Sequence, residues 1–130
     1  MNGETKKVDI EEGLVGFAVM ILNLAEQLPE TRAGRYFHDQ LIRSGVSPAL
    51  NYGEAKSAES AADFIHKMKV CLKELRETFI SLKIIKGKPL IKEDPLLNTC
   101  FQECNELVSI FVRSIQTAQT NKNNKTIHSS

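Results

Sequence analysis

Apolar residues recur along this chain at three- and four-residue spacing, in four blocks divided by proline, glycine and polar residues. That period belongs to helices, each with one face turned to a core. In the first block Leu14, Phe17, Ala18, Ile21, Ala25 and Leu28 predict a helix over about Asp9 to Leu28. Asp9 can cap it, and Glu11 and Glu12 suit the positive end of its dipole. Val15, Val19, Met20 and Leu22 extend the apolar surface around most of the circumference, and no side chain between Gly13 and Leu22 is polar. A helix this greasy in a small soluble protein needs a second cover besides its own bundle, and copies of the same chain are the economical one.

Pro29 ends the first block, because the residue before a proline is pushed out of helical backbone. The second helix is expected from Glu30 or Thr31, with Tyr36, Phe37, Leu41 and Ile42. Pro48 has no N–H for the carbonyl of Ser44, which predicts a kink there, while Ser47 followed by Pro48 also reads as a helix restart. Pro48 to Ala55 is helical in both readings. Lys56 to Ser60 is a loop, and Ser60 with Asp63 resembles a capping box at the head of a third helix that runs to about Lys86. Its core stripe is Ala61, Phe64, Met68, Cys71, Leu72, Leu75, Phe79 and Leu82; Val70, Ile80 and Ile84 form another apolar face, and Asp63, Lys67, Glu74 and Ser81 mark the water side. Gly87 closes this helix. After a connector to Glu93, Asp94 and Pro95 open a fourth, with Leu97, Cys100, Phe101, Cys104, Leu107, Val108, Phe111, Ile115 and Ala118 turned inward.

The pattern predicts an all-α fold, an antiparallel up-down four-helix bundle with its second helix kinked near Pro48. The bundle should span residues 1–120, and the polar stretch 121–130 should be a mobile tail. A chain of 130 residues suits one domain. The absence of Trp and the 6% aromatic content argue against strands. Met1 to Glu12 lacks the apolar stretch of a secretory signal, and the apolar run Gly13–Leu22 is half the roughly twenty residues a membrane span needs. Three cysteines, an odd number, read as reduced thiols, and the expected location is the cytoplasm.

Candidate chemistry is sparse. Cys100 and Cys104 lie one turn apart, but zinc wants four ligands. Antiparallel pairing about the Gly87–Glu93 connector places Cys71 opposite residue 108, about 6 Å along the axis from Cys104. All three cysteines fall on apolar stripes, where free thiols are ordinary core residues, so no metal and no cofactor is expected. His38, His66 and His128 are scattered, and Glu54, Glu59 and Asp63 gather where a helix dipole favours acids. Neither common phosphate-loop motif occurs. The pattern predicts no enzyme and no small-molecule substrate.

The formal net charge is only +1, far from the strong basicity of a protein that coats nucleic acid. It is unevenly spread: residues 1–35 hold 4 basic and 6 acidic side chains, a net of −2, and residues 71–92 hold 6 basic and 2 acidic, a net of +4. Lys83, Lys86, Lys88 and Lys92 gather at one end of the bundle. Repeated around a ring they make a basic surface able to hold phosphates; the helix dipole and solubility also account for lysines at that place.

Gln40 to Ile85 carries a family resemblance. Gln40, Arg43, Ser44, Ser47, Asn51, Glu54, Phe64, Ile65, Glu74, Leu75 and Glu77 match a Q-x-x-R-[AS] stretch, an S-x-x-x-N segment followed by Glu, and a helix ending K-E/S-L-x-E. In these residues the chain resembles the four-helix bundle proteins encoded in intervening sequences of bacterial large-subunit ribosomal RNA genes. It departs from them in reading N-Y-G-E-A where many members read N-[IV]-A-E-G. The resemblance implies a left-handed bundle assembled as a homopentamer without enzymatic activity. A more distant likeness, to the accessory variability protein of diversity-generating retroelements, implies an association with RNA or a ribonucleoprotein. Asn51 and Glu54 are then expected to hydrogen-bond across helices or subunits, with Gln40, Arg43, Val70, Ile80 and Ile84 as further motif or interface residues. Two functions stay open: a pentamer that binds RNA through a basic ring, and a pentameric scaffold for another protein.

Overall fold

Asp9 opens the first helix, accepting the Glu12 backbone N–H at 3.1 Å, and α1 spans Ile10–Ala25. It stops three residues short of Leu28, because the chain tightens into a turn in which Gln27 and Leu28 donate to the carbonyls of Leu24 and Ala25. Thr31 caps α2, Arg32–Lys56, through the Gly34 N–H at 3.0 Å. Gly34 packs so close to the preceding turn that a Cβ there would meet the Pro29 carbonyl oxygen at 1.9 Å, so this corner requires glycine. Ser60 caps α3, Ala61–Gly87, at the Asp63 N–H, and Asp94 accepts from Leu96 N at 2.7 Å at the head of α4, Pro95–Ser129. The structure is a computed structural model that describes residues 9–92 and 94–129, with side chains described through residue 125. Residues 1–8 of the polar N-terminal stretch, Glu93 in the connector, Ser130 and the His128 side chain lie outside the described residues.

Pro48 sits inside α2, which is continuous on both sides of it. Ser47 does not cap a restart. Its hydroxyl donates to the Arg43 carbonyl, as Ser44 donates to that of Gln40, so the turn before the proline is tied back on itself. The helical backbone also runs on through the polar stretch expected to be a tail, as far as Ser129, and the described side chains from Asn121 to Lys125 are exposed.

Each helix packs on its neighbour in the chain and α4 closes onto α1, while α1 and α3 occupy diagonal corners. No strand occurs among the described residues. The α3–α4 register follows the predicted pairing: the Cys104 thiol lies 3.3 Å from the Leu75 carbonyl oxygen, and the Phe79 and Phe101 rings meet edge-on at 5.5 Å. Phe17, Phe111, Leu14, Ile21, Leu24, Leu41, Met68, Leu75 and Leu82 are fully buried, each contributing about 1.5–3 kcal/mol of transfer free energy.

The buried face of α3 is rotated from the predicted stripe. Ala61 is exposed and Phe64, Leu72 and Phe79 are half-buried, whereas Ile65, Thr78 and Ile85 are in the core. α3 touches both α2 and α4, so its buried face centres between those two contacts and the larger residues fall on its flanks. The same rotation half-buries Asp63, Lys67, Glu74 and Ser81, which the sequence pattern had put in water. No helix among the described residues is long and apolar enough to cross a membrane.

Candidate functional site

Most residues that carry the sequence motif meet along the seam between α2 and α3, where they build a ladder of polar contacts. At one rung the Arg43 guanidinium donates to Glu77 Oε2 at 2.5 Å and to Gln40 Oε1 at 3.2 Å. At the next, Thr78 Oγ1 lies 2.8 Å from Ser44 Oγ and 2.9 Å from the Glu74 carbonyl oxygen. Both hydroxyls are buried in an otherwise apolar core, where each needs a partner: Ser44 donates to the Gln40 carbonyl, and Thr78 reaches both Ser44 Oγ and the Glu74 carbonyl. At the third, Asn51 Nδ2 donates to Glu74 Oε1 at 2.7 Å, the cross-helix bond expected of Asn51. Glu54 is exposed, and its side chain makes no hydrogen bond among the described residues.

Thr78 was not legible as a site residue, and Glu74 was read as solvated. One signal was available: the inward stripe of α3 reads Met68, Cys71, Leu75, Thr78, Leu82, with a lone hydroxyl among apolar side chains. On α2 Ser44 interrupts the inward row from Leu41 to Pro48 in the same way.

The aliphatic side chains expected at an interface are exposed: Val15 45%, Val19 52% and Leu22 41% on α1, and Val70 36%, Ile80 53% and Ile84 47% on α3. Lys83, Lys86, Lys88 and Lys92 are also exposed, at the end of α3 and in the connector, with the Lys86 ammonium 5.5 Å from the centre of the Phe101 ring. A groove of about 560 Å³ runs beside α3, lined by Gln40, Lys69, Lys73, Arg76, Ile80 and Ser81, with Glu77 at its side.

The cysteines are core thiols. Burial pushes Cys71 and Cys104 up to about 12 and Cys100 to about 11, so all three are protonated near neutrality, opposite to the low-pKa thiol of a nucleophile or metal ligand. The Cys71 thiol points at the Pro48 carbonyl, 3.6 Å away. No cluster of three potential metal ligands exists among the described residues. His38 pairs with adjacent Asp39 at the surface, and His66 is exposed.

The model of the 23S rRNA-intervening sequence protein family matches residues 6–113. Among solved structures, the chain is similar to a protein with unknown function from the S23 ribosomal protein family of Bacteroides thetaiotaomicron. The two are 29% identical with a TM-score of 0.75, over 82% of this chain and 98% of the other. None of the curated proteins matches the chain.

Proposed function

The chain belongs to the 23S rRNA-intervening sequence protein family, and from that premise we propose that it is a non-enzymatic protein working as a ring of identical copies. The family resemblance implies five copies, and the ring meets RNA or a ribonucleoprotein through a basic rim. The observation that carries the assembly is the pair of aliphatic faces, Val15, Val19 and Leu22 on α1 and Ile80 and Ile84 on α3, all between 41% and 53% exposed. They lie on diagonal helices, so no rearrangement within one protomer joins them. Covering both with further copies removes apolar area from water at about 25 cal/mol per Å². Buried thiols suit a reducing, cytoplasmic setting.

The rim is supplied by Lys83, Lys86, Lys88 and Lys92, exposed in every protomer. A ring multiplies their charge by its copy number while the net charge per chain stays at +1. Binding of a structured RNA, followed by fluorescence anisotropy across a salt series, tests the reading. Log affinity should fall linearly with log salt concentration, since each phosphate contact releases counterions. The paired changes Lys86→Glu and Lys88→Glu should abolish binding without altering assembly. An assembled wild-type ring with no salt-dependent affinity refutes the RNA reading and favours a scaffold for another protein.

A further inference from the structure

We infer that the ring closes head to tail, with the outer face of α1 on one protomer seated on the outer face of α3 on the next. This rests on the assembly reading above and adds which surfaces meet. At about 100° per residue, Glu11, Val15, Val19, Leu22 and Glu26 share one narrow stripe of α1. Acids thus bracket the aliphatics at both ends, with Glu12 beside them, and Ile10–Ala25 contains no Lys or Arg; Glu11 is already paired with Lys56 of α2 at 2.9 Å, which leaves Glu12 and Glu26 as the acids open to a neighbour. Lys69, Lys73, Arg76 and Ile80 share the corresponding stripe of α3, with Ile84 next to it. One face is apolar and acidic, the other apolar and basic.

The cations of α3 are uncommitted for a reason the ladder supplies. Lys73 and Glu77 stand one turn apart, the spacing of an intrahelical ion pair, but Glu77 is held by Arg43. Glu74, the other acid nearby, is held by Asn51. Lys69, Lys73 and Arg76 accordingly have no hydrogen-bond or ion-pair partner among the described residues, and the same is true of the Glu12 and Glu26 carboxylates. The groove of about 560 Å³ beside these cations is shallow and open, with Ile80 in its lining to meet an aliphatic side chain and the three cations around it to meet acids.

A patch that fits a different patch on the same molecule makes a heterologous contact, which gives a ring when its rotation closes and an open filament when it does not. The diagonal placement of α1 and α3 provides two separate surfaces for it. Self-pairing is disfavoured on both sides: α1 on α1 sets acids against acids, and α3 on α3 sets cations against cations.

Two variants separate these geometries. Val19→Lys with Leu22→Lys spoils the α1 face, and Ile80→Lys with Ile84→Lys spoils the α3 face. All four residues are exposed, so circular dichroism and thermal melting should still report a folded bundle. Each variant alone should be monomeric by native mass spectrometry. Mixed in equal amounts, they should form a dimer containing one of each, through the single intact α1–α3 contact. Variants that each dimerise alone, that still form wild-type rings, or that stay monomeric when mixed overturn the pairing while wild-type assembly stands. A monomeric wild-type chain overturns the assembly reading, and the pairing with it.

Discussion

At Gly45 α2 approaches α1 closely, and replacing this glycine by alanine should destabilise the protein although alanine favours helices. A Cβ at this position falls 2.8 Å from Ile21 Cγ2 and 2.9 Å from Ile21 Cγ1. Ile21 is fully buried. Overpacking of this kind costs about 1–3 kcal/mol. The propensity gain of alanine over glycine is about 0.5–1 kcal/mol, so Gly45→Ala should lose up to roughly 2.5 kcal/mol. Gly16 and Gly53 are internal controls: both are helical, and a Cβ at either meets nothing within 4 Å. Alanine there should stabilise by about 0.5–1 kcal/mol. Urea unfolding of the three variants at one protein concentration measures the signs, the fixed concentration removing any contribution from assembly. A double-mutant cycle with Ile21→Ala locates the cause. Ile21→Ala alone should cost about 2–5 kcal/mol, and in the Gly45→Ala background at least ~1 kcal/mol less, since the added methyl occupies the vacated space. If Gly45→Ala stabilises as much as Gly53→Ala, the close approach of the two helices is refuted.

Asn51→Leu removes the 2.7 Å bond to the half-buried Glu74 carboxylate and should cost about 1–2 kcal/mol; an assembly that melts at the wild-type temperature contradicts that. Thr78→Val should cost ~1 kcal/mol, and adding Ser44→Ala should cost less than the sum of the single changes, because one hydrogen bond joins the two hydroxyls and is lost only once. Chemical denaturation of both single variants and the double variant reads the coupling, and strict additivity refutes it. The buried thiols bind their protons more tightly in the folded state than at the ordinary value of 9.0, so their contribution is complete below pH 9. Above pH 9 the unfolded chain ionises first and stability should decline toward pH 12. Replacing all three cysteines by alanine should flatten the decline, and a wild-type stability that is level from pH 9 to 11 contradicts the burial argument.

Much of the bundle was legible because helix boundaries rest on local chemistry. Asp9, Thr31, Ser60 and Asp94 each accept a backbone N–H at a helix start, and a hydroxyl or carboxylate beside an apolar period signals that without tertiary information. The α3–α4 register was legible for a similar reason, since a short connector leaves little choice of pairing. The rotation of α3 was not, because it depends on the angle between two neighbouring helices and periodicity locates a stripe only to within a residue or two. The ladder was half legible. The motif drew attention to Gln40, Arg43, Asn51, Glu74 and Glu77, but that Glu77 meets Arg43 and Glu74 meets Asn51 depends on how α2 and α3 slide past each other. Ser47 left two readings open because a hydroxyl before proline can cap a new helix or bond back to the preceding turn, and in the structure it bonds back to the Arg43 carbonyl.

Exposed aliphatic surface on two diagonal helices is the feature on which the proposed assembly and the proposed α1–α3 contact rest. Sedimentation velocity of the wild-type chain at micromolar concentration tests it most directly. The account predicts one discrete species at five times the chain mass, unchanged on dilution across the micromolar range. A stable species of single-chain mass would contradict it.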